Sequence, residues 1–185
     1  MDVVLIRHPR PVLGEGICYG SSDVELAAGF ETATGSLRAR LGDVADAVVF
    51  SSPLSRCRRV AEAIGTPRLD ERLSELHFGK WELLPWNTIA RSEFDHWSED
   101  FVNRAPPEGE SYASLSARTL AFLADAQSEG HRAIVVVTHA GVIRALLAHA
   151  LGTPLEKSFA LRLDFGSLTR LSVKDGRSHV HYMNC

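Results

Sequence analysis

Two histidines and two arginines stand where the chain's own pattern predicts strands to stop. One apolar run ends in Arg7-His8, a second in Ser51-Ser52-Pro53-Leu54-Ser55-Arg56, and a third in Thr138-His139-Ala140-Gly141. In an open α/β sheet, ligands bind beyond the carboxyl ends of the strands, where helix N-termini present backbone N–H groups to an anion. Taken singly, a histidine at a strand end has an ordinary structural reading, and an arginine in a first helical turn is usually a solvated charge. Three separate segments aimed at one sheet edge are a different matter. Arg56 is telling, because a cation near a helix N-terminus opposes the macrodipole unless an anion lies between them. Two guanidinium forks and two imidazoles suit a phosphoryl group, and a phosphate ester is the implied ligand. An imidazole can serve as nucleophile; protonating the leaving oxygen needs an acid from another segment. Arg72 to Glu82 offers Glu75 and Glu82 among apolar neighbours, and residue type alone does not choose between them.

The elements that must hold these groups can be read from periodicity. Val3 to Ile6, Ala47 to Phe50 and Ala133 to Val137 are unbroken apolar runs rich in β-branched residues, as expected for parallel strands covered on both faces. Leu26, Phe30, Ala33, Leu37 and Leu41 share one helical face, despite Gly29 and Gly35 within the segment. Leu54, Cys57, Ala61 and Ile64 mark a second helix, with Ser52 as its expected N-cap, Pro53 as its first residue and Gly65 as its stop. A third helix runs from Ser111 towards Gly130, and a fourth carries Val142, Leu146 and Ala150 up to Gly152. Phe159 to Leu163, Leu168 to Val173 and Ser178 to Met183 read as strands, the last two joined by a Lys174-Asp175-Gly176-Arg177 hairpin. Residues 80–112 hold all three tryptophans and no long period, which predicts short helices and loops forming a lid or small insertion. The expected architecture is a three-layer α/β/α domain over residues 1–185 with a mostly parallel mixed sheet.

Composition narrows the classes. With 185 residues, the chain suits one ordinary domain. Twenty basic against 23 acidic residues leave a net charge of −3, which disfavours a nucleic-acid partner. Hydrophobic residues at 45% and charged residues at 23% exclude wholesale disorder. Cys18, Cys57 and Cys185 are odd in number and scattered, so neither a disulfide framework nor a zinc half-site is expected. The apolar run before Arg7 is too short for a signal peptide or membrane span, which points to the cytoplasm and away from membranes. His179-x-His181 lacks an acidic or cysteine partner nearby and reads as an exposed strand pair, so no metal site is expected.

Four motifs, in order, carry a family resemblance. Arg7-His8, Ser52-Pro53-Leu54-Ser55-Arg56, Leu73 to Glu82, and Thr138-His139-Ala140-Gly141-Val142-Ile143-Arg144 resemble the marks of the histidine phosphatase superfamily, the phosphoglycerate mutase-like group. Asp23 to Gly29 and Pro106 to Ser111 match further. The resemblance implies a phosphoglycerate mutase-like fold and a hydrolase that works on a small phosphate ester without a cofactor. It implies His8 as nucleophile, Glu75 as proton donor, Arg7, Arg56 and His139 as holders of the phosphoryl oxygens, and Ala140, Tyr19 and Ser22 in substrate binding. Glu82 is left as a structural acid. Pro9 stands where the family usually has Gly, which removes a backbone donor but keeps a carbonyl able to orient the nucleophile's ring N–H. Ala140 replaces a second Gly, and Leu83 follows Glu82 in place of another.

The Gly16 to Asp23 segment and Phe78-Gly79-Lys80-Trp81-Glu82 are most similar to the α-ribazole phosphatase branch, implying α-ribazole 5′-phosphate as substrate and a place in cobalamin biosynthesis. The alternatives within the class are a broad phosphatase or a phosphoglycerate mutase, which needs extra basic and covering segments. An inactive phosphate-binding module is the alternative outside it, and such a module is expected to lack the nucleophile or the acid. Glu75 must be protonated in one half of the cycle and ionised in the other, so an activity optimum at mildly acidic to neutral pH is expected. Oligomeric state is not legible.

Overall fold

A computed structural model describes residues 1–42, 46–174 and 176–185. At its centre lie β1 (Asp2–Arg7) and its parallel neighbour from late in the chain, Ala133–Thr138. In chain order the remaining elements are α1 (Phe30–Arg40), β2 (Val48–Ser51), α2 (Ser55–Ile64), β3 (Arg68–Leu69), α3 (Arg91–Ser98) and α4 (Tyr112–Ser128). The late central strand is β4; it is followed by α5 (Ala140–Leu151), β5 (Leu168–Lys174) and β6 (Arg177–Tyr182). The sheet order is β3-β2-β4-β1-β5-β6, with the pairs from β3 to β1 parallel and the β1–β5 and β5–β6 pairs antiparallel, so that β5 alone runs against the rest.

The unbroken apolar strands are explained by what covers them. On β1, Val3 and Leu5 join a core with Tyr112, Leu115 and Phe122 of α4 and Leu146 of α5. Val4 and Ile6 face the other way, against Leu37 of α1 and Cys57 and Val60 of α2. β4 divides in the same way, Ile134 and Val136 to one face and Val135 and Val137 to the other. Helices on both sides of a mixed sheet make the three layers predicted from sequence.

Three sequence expectations are corrected, and one strand is added. Leu26 does not begin a helix but pairs with Pro11 in an isolated bridge, and α1 starts after Gly29, whose φ of 83° is left-handed. That conformation suits glycine and ends the preceding turn. α2 starts at Ser55, not at Pro53, and the Ser52 hydroxyl accepts the Leu54 N–H, at 3.3 Å, ahead of the helix. The free N-terminus is capped from outside, since Asp23 Oδ1 accepts the Ser55 N–H at 2.8 Å. Phe159 to Leu163 is not a strand; a 3-10 turn spans Leu155–Ala160. The carbonyls of Leu161 and Leu163 accept from Arg144 and Arg7 side chains, at 3.2 and 2.5 Å, instead of from a neighbouring strand. β3 is a two-residue edge strand with both side chains exposed, which no apolar run announced. The predicted hairpin is present in that β5 pairs antiparallel with β6, although Asp175 lies outside the described residues. Residues 79–98 form the short helices expected there and close a small core of Cys18, Trp81 and Ile89 against Phe78, Trp86, Phe94 and Trp97. Among the described residues, no helix is long and apolar enough to cross a membrane.

Candidate active site

Sheet register brings the reactive groups together. Arg7 pairs with Thr138 and Ser51 with Val137, so His8, His139 and Ser52 follow from adjacent strands at one level. The His8 N–H donates to Thr138 O at 3.1 Å and the Ser52 N–H to Val137 O at 3.0 Å, extending the ladder one step past the strands. The two imidazoles meet edge to face with centroids 5.1 Å apart, and both are buried, at 2% and 0% exposure.

His8 Nδ1 lies 2.7 Å from the Pro9 carbonyl oxygen. A carbonyl only accepts, so Nδ1 carries the proton and Nε2 keeps its lone pair. Burial, then the Arg56 and Arg7 guanidiniums, push His8 well below the usual histidine range, against an opposing pull from the Pro9 carbonyl. The ring is therefore neutral near pH 7. Burial, Arg56 and His8 depress His139 likewise. His139 Nε2 sits 2.9 Å from Ser52 Oγ and 3.4 Å from Cys57 Sγ. Burial raises the Cys57 thiol far above its ordinary value, so it packs here as a neutral group.

Arg56 is fully buried in the first turn of α2, and its Nη1 and Nη2 donate to the carbonyls of Ser22 and Gly20 at 2.7 and 2.6 Å. Arg7 donates through Nη1 to Leu163 O, and its Cζ lies 3.8 Å from the centre of the Phe165 ring. Burial lowers Arg7, partly offset by Tyr19 and Glu75. The Nε atoms of both arginines are buried without a hydrogen-bond acceptor. Buried donors of this kind are rare, and two beside a pair of imidazoles suit an anion.

Glu75 reaches the N-terminus of α5. Its Oε2 accepts the Gly141 N–H at 3.2 Å, its Oε1 the Leu76 N–H at 3.0 Å, and its backbone carbonyl is held by Arg118 at 3.2 Å. A side chain at Gly141 would overlap the Glu75 carboxylate, so this approach requires glycine. Ala140, also expected near substrate, is the first residue of α5 and is buried between His139 and Gly141. Tyr19 is half-buried, with the Arg56 Cζ 5.4 Å from its ring centre.

Ser22 stands in the same place but with its donors committed: its N–H and hydroxyl both bind Glu82 Oε2. Glu82 Oε1 takes the Ser21 N–H and hydroxyl, each at 2.8 Å, and the Phe78 N–H at 3.0 Å. Burial pushes the Glu82 carboxyl up, but the hydrogen bonds from Ser22, Phe78 and Ser21 outweigh it and hold it below the usual range. Glu82 thus anchors the Gly20–Ser22 loop whose carbonyls grip Arg56. Gly20 is tightly enclosed, since an added methyl would overlap Leu76 O and the Phe78 ring.

Sequence reasoning missed Phe165 and Cys57 at this site. Phe165 lies 5.6 Å, centroid to centroid, from His8. A signal existed: β5 runs antiparallel to β1, so the turn before it returns to the level where β1 ends. His179 and His181 lie exposed on β6, the latter 2.9 Å from Ser172 Oγ, and no three His, Cys, Asp or Glu side chains cluster as metal ligands among the described residues.

A mixed α/β sheet with histidines and arginines at its parallel strand ends defines a phosphate-handling enzyme. The family model described as histidine phosphatase superfamily (branch 1) matches residues 3–185; the chain belongs to that superfamily and is a phosphate-hydrolysing enzyme. It is 26% identical over 195 residues to the adenosylcobalamin/alpha-ribazole phosphatase of Escherichia coli, covering 100% of this chain and 96% of that one. The crystal structure of the alpha-ribazole phosphatase from Shigella flexneri shares its fold, with a TM-score of 0.91 at 24% identity over 100% of this chain and 96% of that one. A mycobacterial glucosyl-3-phosphoglycerate phosphatase superposes with a TM-score of 0.88 at 28% identity, covering 100% of this chain and 98% of that one.

Proposed function

We propose that the protein is a metal-independent phosphomonoester hydrolase that passes through a phosphohistidine at His8, with α-ribazole 5′-phosphate as substrate and a role in cobalamin biosynthesis. The observation that carries the reading is the His8 ring, its Nδ1–H given to the Pro9 carbonyl and its Nε2 lone pair left free, in a site with the buried Arg56 and the half-buried Arg7, whose Nε donors are unmatched. In the first step Nε2 forms a bond to phosphorus as the ester P–O bond breaks, and Glu75 gives its proton to the departing alkoxide. In the second, Glu75 takes a proton from water, the new P–O bond forms, and the N–P bond breaks to release phosphate and neutral His8. Arg7, Arg56 and His139 hold the equatorial oxygens, where fixed donors stabilise the transferring group. Tyr19 and Ala140 border the substrate, and Ser22 acts through the carbonyl that holds Arg56. Residues 80–112 are a small insertion in the 1–185 domain, tied to the Tyr19 loop by hydrogen bonds of the Cys18 N–H to Leu84 O and the Trp86 N–H to Gly16 O, both at 2.9 Å.

The substrate assignment is supported by the alpha-ribazole phosphatases among its relatives and structural neighbours. A panel of α-ribazole 5′-phosphate, O-phosphoserine and 3-phosphoglycerate tests it on wild type and His8→Ala. Wild type is expected to show its highest kcat/KM with α-ribazole 5′-phosphate, and His8→Ala to lose about three orders of magnitude or more. Interconversion of phosphoglycerates faster than phosphate release contradicts the assignment.

A further inference from the structure

Beside the phosphoryl site opens a pocket of about 300 Å³ whose walls include Leu13, Ile17, Tyr19 and Phe165, with Arg10 and Glu15 at its rim. Phe165 is held firmly there. The Gly166 N–H donates to the carbonyls of Arg7 and His8, at 3.1 and 3.2 Å, and the Arg7 N–H returns a bond to Ser167 O at 3.1 Å. The turn needs glycine at 166, where φ is +70°. Asn184 braces its other side through Asp164, with Nδ2 3.1 Å from Oδ2. The ring is thus fixed by the same backbone that carries the nucleophile.

Arg10 pairs with Glu15 at 3.4 Å at the mouth, and the guanidiniums of Arg7 and Arg10 lie 3.8 and 5.2 Å from the centre of the Phe165 ring, so the cations nearest the pocket pack against its aromatic wall. A flat apolar ring finds two aromatic side chains to pack against.

We propose that Phe165, with Tyr19 in the same pocket, sets leaving-group specificity, and that the enzyme favours phosphomonoesters whose alcohol carries a flat apolar ring over those whose alcohol is small and polar. This rests on the hydrolase reading above. It assigns Phe165 a role in substrate selection that none of the four motifs contains.

The test compares 2-phenylethyl phosphate, glycerol 3-phosphate and O-phosphoserine, whose leaving groups are all primary alcohols, on wild type, Phe165→Leu and Phe165→Tyr. Phe165→Leu is expected to lower the phenylethyl-to-glycerol ratio of kcat/KM about fivefold to tenfold, mostly through KM, and Phe165→Tyr to restore it. An unchanged ratio, or an equal loss on all three substrates, overturns the proposal. Calorimetric binding of 3-phenylpropylphosphonate, which cannot be hydrolysed, separates the two readings. Tighter binding by wild type than by Phe165→Leu, in a protein that hydrolyses none of the esters, upholds the pocket and overturns the hydrolase; equal binding overturns the pocket.

Discussion

Replacing Glu82 with alanine removes one carboxylate that accepts five hydrogen bonds, three of them from the backbone N–H groups of Phe78, Ser21 and Ser22. The two serine hydroxyls can turn towards water, but the backbone donors are fixed by the loop. At about 1 kcal/mol for each stranded N–H, the loss is about 3 kcal/mol, which for a chain of this size lowers Tm by roughly 6–12 °C. The variant still folds if the protein has ordinary stability. Activity should suffer separately, because Gly20 O and Ser22 O no longer hold the Arg56 guanidinium at 2.6 and 2.7 Å. A displacement of about 1 Å at a positioning group costs on the order of 10²-fold in rate. Urea denaturation and kcat/KM on one phosphomonoester measure both effects, with Glu62→Ala, an exposed partner of Arg58 on α2, as control. Wild-type values of both quantities in Glu82→Ala would falsify the idea that this carboxylate tethers the arginine loop.

Gly141→Ala is expected to act mainly on chemistry: the added methyl displaces the Glu75 carboxylate, lowering kcat/KM on the order of 10²-fold. Its stability should fall by only about 1 kcal/mol, since the helix gain of alanine offsets part of the loss at the Gly141 and Leu76 N–H groups; unchanged kcat/KM contradicts the placement of Glu75. Stability should fall in mild acid. His8 and His139 resist protonation when folded but titrate near pH 6.5 when unfolded, so their contribution is complete above that pH and is lost as pH falls below it. The slope approaches about 1.4 kcal/mol per pH unit for each histidine. Urea midpoints from pH 7.5 to 5 should therefore fall more steeply in wild type than in a His8→Gln, His139→Gln double variant, and equal slopes contradict the account.

The parts of this molecule legible in its sequence are those where one physical demand dominates. β1 and β4 are covered on both faces, so Val3 to Ile6 and Ala133 to Val137 had to be unbroken apolar runs, and their ends located His8 and His139. Arg56 betrayed itself by standing as a cation at a helix start. Where tertiary contacts compete with local pattern, the pattern misled. Phe159, Leu161 and Leu163 alternate like a strand, yet their backbone turns early and the carbonyls of Leu161 and Leu163 serve Arg144 and Arg7. Pro53 after Ser52 reads as a helix start, yet Asp23, distant in sequence, caps the helix at Ser55. Residue type left Glu75 and Glu82 equivalent. The structure separates them by what each touches, a helix N-terminus for Glu75 and a ring of loop donors for Glu82. Phe165 carries no charge or reactive atom, so only the antiparallel return of β5 beside β1 points to it.

Rapid quenching of the wild-type enzyme during turnover of a radiolabelled phosphomonoester puts the central claim to trial most directly. A phosphoryl group that survives base, is lost in acid and maps to the peptide containing His8, absent from His8→Ala, is the predicted outcome. Steady turnover with no such adduct, or label on a different residue, contradicts it.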